Sequence, residues 1–240
     1  MRTLQYPLQS KTLSLKEVTT IMAPICKIAL PRMGICRNIN RETLYCSTAF
    51  KGFGIDNLWE CQGIEKLMEL LGRDHATDTS TFLQESLTLC KYECGLGPNF
   101  LQTPFSKKLQ AITTHGFITC LWQFCTDSNI RLTSNEPERH RYHNDKYLMQ
   151  EWIWQIDDLD VLRDINACQM YFQGETLSDL LELNGRTIRH TAWNGEATSH
   201  EDTWPKQVRP TEKAWHSWRR WIANIIACTT EWNPYQPTKS

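Results

Sequence analysis

The chain has 240 residues, 40% of them hydrophobic and 22% charged, which is enough apolar material for a packed core and excludes a wholly disordered polypeptide. Its 26 basic and 27 acidic side chains leave a formal net charge of -1, so no global field draws it to nucleic acid or to an anionic membrane. Length alone fits one large domain or two small ones.

Met1 to Lys16 offers no apolar run before a small-residue cleavage site, so no secretory leader is expected. Ile21 to Leu30 is interrupted by Pro24 and Lys27 and is too short for a bilayer span, which needs about 20 apolar residues. The expectation is a chain without membrane contact, reduced and intracellular, in nucleus or cytoplasm. Ser14-x-x-Glu17 is a capping box, followed by Val18, Ile21, Met22 and Ile25 at helical spacing. Pro24 removes a backbone donor and predicts a kink or break there, with the helix left near Leu30-Pro31. Asn57-x-x-Glu60 opens a second helix with Ile64, Leu67, Met68 and Leu71 as its inward stripe and Gly72 as its stop.

A polar link from Asp74 to Ser80 leads to a third helix through Phe82, Leu83, Leu87, Cys90 and Cys94, ended by Gly95, Gly97 and Pro98. Ser106 caps a fourth along Leu109, Ile112, Gly116, Cys120 and Phe124, and the polar stretch from Asp127 to Asn144 reads as an exposed loop. A fifth helix runs from about Leu159 to Phe172, with Leu162, Ile165, Cys168 and Phe172 on one face behind aspartates suited to its N-terminus. Leu183-Asn184-Gly185-Arg186 is the strongest hairpin signal in the chain. The last helix starts at Thr211 after Pro210, with Trp215, Trp218, Ile222 and Ile225 inward. The expected fold is mainly α, an irregular helical domain of about six to seven helices with a small β-hairpin insertion.

Ten cysteines invite a metal site, but no C-x-x-C occurs, and zinc sites use such tight pairs twice per ion. Cys90-x3-Cys94, with His140-x2-His143 as a distant partner, reads as two small buried residues on one helix face. Ile156-Asp157-Asp158 has the look of a polymerase aspartate pair, yet Asp157, Asp158 and Asp160 also suit a helix N-terminus, and that is the reading adopted. Gly52-Phe53-Gly54 lacks the third glycine of a dinucleotide loop, and neither a phosphate-binding G-x-x-x-x-G-K nor a G-x-S-x-G elbow is present. No cofactor, metal or catalytic residue is therefore expected. Basic residues gather twice, as Arg131, Arg139, Arg141 and Lys146, and as Lys206, Arg209, Lys213, Arg219 and Arg220 interleaved with Trp204, Trp215, Trp218 and Trp221. The second has the aromatic-plus-basic character of a single-strand-binding surface, with Lys206, Arg209, Arg219 and Arg220 as candidate contacts; tryptophans at three-residue steps on one helix also suit a core.

Motif order adds a resemblance. Ile28-Ala29-Leu30-Pro31-Arg32-Met33-Gly34-Ile35-Cys36-Arg37-Asn38 comes first, then Phe50 to Leu58 with its Lys51-Gly52-Phe53-Gly54-Ile55, then Gln62-Gly63-Ile64. Further on come Tyr147-Leu148-Met149, Ile165 to Phe172, Thr176-Leu177-Ser178-Asp179, Trp204 to Pro210, and Trp215-x-x-Trp218-Arg219. In this order the chain resembles the region after the polymerase domain in reverse-transcriptase-like proteins of non-LTR retroelements of the diatom and protist type. The resemblance spans about residues 20 to 222. It implies a non-catalytic, thumb-adjacent tail whose palm and catalytic aspartates would lie upstream, with the polymerase domain and single-stranded RNA as partners. On this view residues 1–30 are a thumb-like helical arm, 31–230 the helical tail domain and 231–240 disordered. The alternative is a stand-alone helical protein-interaction module without nucleic-acid binding.

Overall fold

The computed structural model describes residues 11–72, 78–134, 145–184, 187–196 and 208–228, with the side chains of 78, 79 and 228 left aside. Its contacts group the chain into two compact units. The first takes residues 1–84 and 115–130, the second 85–114 and 131–240.

In the first unit, Ser14 caps α1 (Leu15–Arg32) with the reciprocal Glu17 bond of a capping box. The break expected at Pro24 does not occur, and the helix carries on through both Pro24 and Pro31. Each ring removes one i to i−4 bond, but both prolines are exposed and seven residues apart, so the freed carbonyls lie on the watered side. The opposite side buries Val18, Met22, Cys26 and Leu30 at four-residue steps. After the short α2 (Arg41–Tyr45), Asn57 caps α3 (Leu58–Leu71) by accepting from Trp59 N at 3.0 Å. Helix α1 packs on α3, and α3 packs on α6 (Phe117–Asp127). Helix α4 (Asp78–Cys94) begins in this unit and ends in the next.

In the second unit, Ser106 caps α5 (Lys107–Ile112). The single helix expected from Ser106 to Phe124 is thus two helices. Thr113 returns its hydroxyl to Leu109 O, and Thr114 gives both its backbone N–H and its hydroxyl to Glu93. Those side-chain bonds compete with the helix and leave Gly116 to start the next one. Short α7 (Leu148–Trp152) and α9 (Leu177–Leu180) lie side by side through Leu148 N to Glu175 O and Leu177 N to Lys146 O, both 2.9 Å. Helices α8 (Leu159–Phe172), α10 (His190–Asn194) and α11 (Glu212–Cys228) complete the unit, and α8 against α11 is its largest helix pair.

Among the described residues there are eleven α-helices, against six or seven expected, and no strand. The expected hairpin is therefore absent. The chain does reverse there, with one isolated bridge, Leu181 to Ile188, and Glu182 N to Thr187 O at 2.8 Å. Strands have no room, because α9 ends at Leu180 and α10 begins at His190. Gly185 and Arg186, like residues 231–240, lie outside the described residues. Among those described, no helix is long and apolar enough to cross a membrane.

Candidate functional site

The candidate contacts Lys206, Arg209, Arg219 and Arg220 centre on α11. Thr211 starts this helix by accepting from Ala214 N at 3.2 Å. Its apolar face is deeply placed: Trp215, Trp218 and Ile222 have no exposed surface, and Ile225 has almost none. Trp218 Nε1 donates to Ala192 O at 2.9 Å, and the rings of Trp215, Trp218 and Trp221 follow one another at centroid distances of 6.5 and 5.5 Å. A buried indole cannot stack on a base, so these three tryptophans serve the core. Of the basic residues, Arg209 and Arg220 are exposed. Arg219 is half-buried, its Nε donating to Trp193 O at 2.8 Å, and Lys213 reaches Asp164 at 3.7 Å. Lys206 and Trp204 lie outside the described residues. The tryptophan beside Arg219 with surface to offer is Trp193, 36% exposed, which sequence reasoning passed over because no helical stripe contains it.

A second surface, missed from the sequence, lies on α3. Of the expected stripe of Ile64, Leu67, Met68 and Leu71, Leu67 is half-buried and the other three are exposed at 49%, 63% and 67%. The residues buried instead are Leu58, Trp59, Gln62, Gly63 and Lys66. Gln62 takes Leu13 N on its Oε1 and gives its Nε2 to Leu13 O and Cys120 Sγ, so its buried amide is fully used in joining the start of α1 to α3 and α6. Gly63 lies directly against Phe124, where any side chain would overlap the ring. Lys66, 1% exposed, sets its ammonium 4.3 Å from the Phe117 ring centre, and burial pulls its pKa down. Gly63 and the long side chains of Gln62 and Lys66 fill this side beside Leu58 and Trp59, and their contacts set the helix rotation that leaves Ile64, Met68 and Leu71 exposed.

No protein-family model, curated protein or solved structure matches the chain.

The remaining constellations have structural roles. Asp158 is the N-cap of α8, its Oδ1 accepting from Asp160 N at 2.8 Å and Val161 N at 3.4 Å. Asp160 pairs with Arg163 at 2.8 Å, and Asp157 points to Lys108 at 3.5 Å. Each aspartate thus turns to a different partner. Cys90 and Cys94 are buried, and desolvation pushes the Cys90 thiol up to about 12 and Cys94 higher than an ordinary thiol as well. Such thiols are poor nucleophiles and poor metal ligands; His140 and His143 lie outside the described residues. Among the described residues no three metal-binding side chains gather. Two open apolar troughs of about 270 and 280 Å³ flank α1 and share Met22 and Cys26, slightly smaller than the roughly 300–1,000 Å³ of ligand pockets.

Proposed function

We propose that the chain is a non-catalytic helical module that binds another protein through the outward face of α3. One observation supports this reading above the rest: a helix that buries Gln62 and Lys66 while presenting Ile64, Met68 and Leu71 to solvent. A clustered apolar patch on a folded surface is characteristic of a protein contact. Less supports the RNA reading: three of its four tryptophans, Trp215, Trp218 and Trp221, are buried, while Arg209 and Arg220 are exposed and Arg219 bonds to Trp193 O. The resemblance to the post-polymerase region of reverse-transcriptase-like proteins suggests an ancestral partner, the polymerase part of such a protein.

A photo-crosslinking amino acid at position 68, with position 220 as control, tests the reading in the host cell. A discrete protein adduct at 68, lost when Ile64 and Leu71 become glutamine, is the expected result. Adducts confined to RNA, and formed at 220, would move the function to the basic residues of α11.

A further inference from the structure

The two troughs along α1 meet at Met22 and Cys26, which gives one apolar path along the helix, and together they reach the volume of a ligand pocket. Its two ends differ. At one, Thr19, Arg41 and Tyr45 stand beside a floor of Leu15, Val18 and Met22. At the other, Ile25, Leu30, Met33 and Ile55 line it, and Asp56 is the charged residue.

Arg41 is exposed, and among the described residues no hydrogen bond or ion pair takes up its guanidinium. The neighbouring acids turn to other groups: Glu42 accepts from Asn40 Nδ2 at 3.4 Å, Glu60 from Asn57 Nδ2 at 3.2 Å, and Glu17 caps with Ser14. Burial raises the pKa of Tyr45, Cys26 adds to the rise and Arg41 opposes it, with Glu60 the smallest influence. The phenol therefore keeps its proton to donate, and the guanidinium lies close enough to act on the same oxygen. Ala23 lines this end, and Lys16 and Lys27 follow it on the same side of α1, roughly two turns before and one turn after. Both lysines are exposed, and among the described residues neither is ion-paired, so the edge is positive without an acid to offset it.

We propose that this path binds a single-chain aliphatic carboxylate, an anion of the fatty-acid type, with its head between Arg41 and Tyr45 and its chain over Met22 and Cys26 toward Met33. A guanidinium and a phenol O–H are donors for the two carboxylate oxygens, and the chain gains from each methylene laid on the apolar floor. Asp56 sets the direction, because it disfavours an anionic head at the far end. The site is distinct from the outward face of α3 and does not depend on it.

Isothermal titration of the full chain with octanoate, decanoate and dodecanoate should show affinity rising about twofold per added methylene, since one-sided contact gives roughly half the gain of full burial. Decanol and decyltrimethylammonium should bind about tenfold or more weakly than decanoate. Arg41→Gln should bring decanoate down to the level of decanol while the thermal midpoint of the free chain is kept. Ala23→Phe, an exposed position where a ring would fill the path, should weaken all three carboxylates. Phosphatidylglycerol vesicles should not sediment the chain. Equal binding of decanoate and decanol, or an Arg41→Gln variant that still prefers decanoate, overturns the proposal. Binding unchanged by Ala23→Phe, or no saturable binding, overturns it as well. Sedimentation with the vesicles without binding of decanoate would give the basic edge to a membrane surface and likewise overturn it.

Discussion

Gly63→Ala distinguishes the two possible rotations of α3 by the sign of one number. Were Gly63 on the flank of a helix whose Ile64 faced inward, alanine would stabilise by up to about 1 kcal/mol through helix propensity alone. In the structure a methyl group at this position overlaps the ring of Phe124, itself 3% exposed and held within α6. Forcing the ring aside in a filled site costs about 1–3 kcal/mol, against which the propensity gain is partly recovered. The expected net effect is a loss of roughly 1–2 kcal/mol. Urea unfolding followed by tryptophan fluorescence reads it as a lower midpoint at unchanged slope. Met68→Gln and Leu71→Gln, on the exposed side, should stay within about 0.5 kcal/mol of the parent. A stabilised Gly63→Ala together with a strongly destabilised Met68→Gln would refute the rotation of α3, and the docking surface with it.

Trp218→Ala should cost about 3–5 kcal/mol in the same unfolding assay, because it removes a fully buried indole and the donor to Ala192 O, whereas Arg220→Ala should stay within about 0.5 kcal/mol. Deleting residues 1–32 should lower the thermal midpoint rather than merely improve solubility, since α1 buries Val18, Met22, Cys26 and Leu30; an unchanged midpoint would show the helix to be dispensable. Stability should fall as pH rises above about 9. Cys90 and Cys168 are held up to about 12 and Cys125 to about 11 by burial, so they stay protonated in the fold after the unfolded chain has begun to lose those protons. Each such thiol contributes stability that is complete below about 9 and is lost at about 1.4 kcal/mol per pH unit through its folded value. Lys66, shifted downward, works against this as a single group, so denaturant midpoints flat up to pH 11 would contradict the burial of the thiols.

Local signals in the sequence were legible where the structure depends on neighbours in the chain. Ser14 with Glu17, Asn57 with Gly72, and Asp158 before Leu159 set helix ends from within one turn, and all three helices begin there. The core face of α11 was legible as well, because Trp215, Trp218, Ile222 and Ile225 share one unambiguous side. The face of α3 was not. Its pattern names an aliphatic stripe, but which side turns inward is decided by Phe117, Cys120 and Phe124 on a helix some sixty residues later. Helices α2, α7, α9 and α10 span one turn or little more and show no stripe to read. Asn184-Gly185 pointed to a hairpin that does not form: among the described residues there only Leu181 and Ile188 bridge, because α9 and α10 take the residues beyond them.

The first unit is assembled from two separate stretches, and this has a consequence for synthesis. A ribosome adding roughly 5–20 residues per second delivers α1 and α3 several seconds before α6 emerges. Until residue 130 is made, Gln62, Gly63 and Lys66 have no α6 to pack against, and Ile64, Met68 and Leu71 are the most apolar side that α3 can offer to a collapsing chain. Leu13, made earlier, already offers both partners of the Gln62 amide, and α6 completes the buried side when it arrives. A protein bound to the outward face of α3 during those seconds would hold the helix in its final rotation, so co-expression of such a partner should raise the yield of correctly folded chain more than adding it after purification.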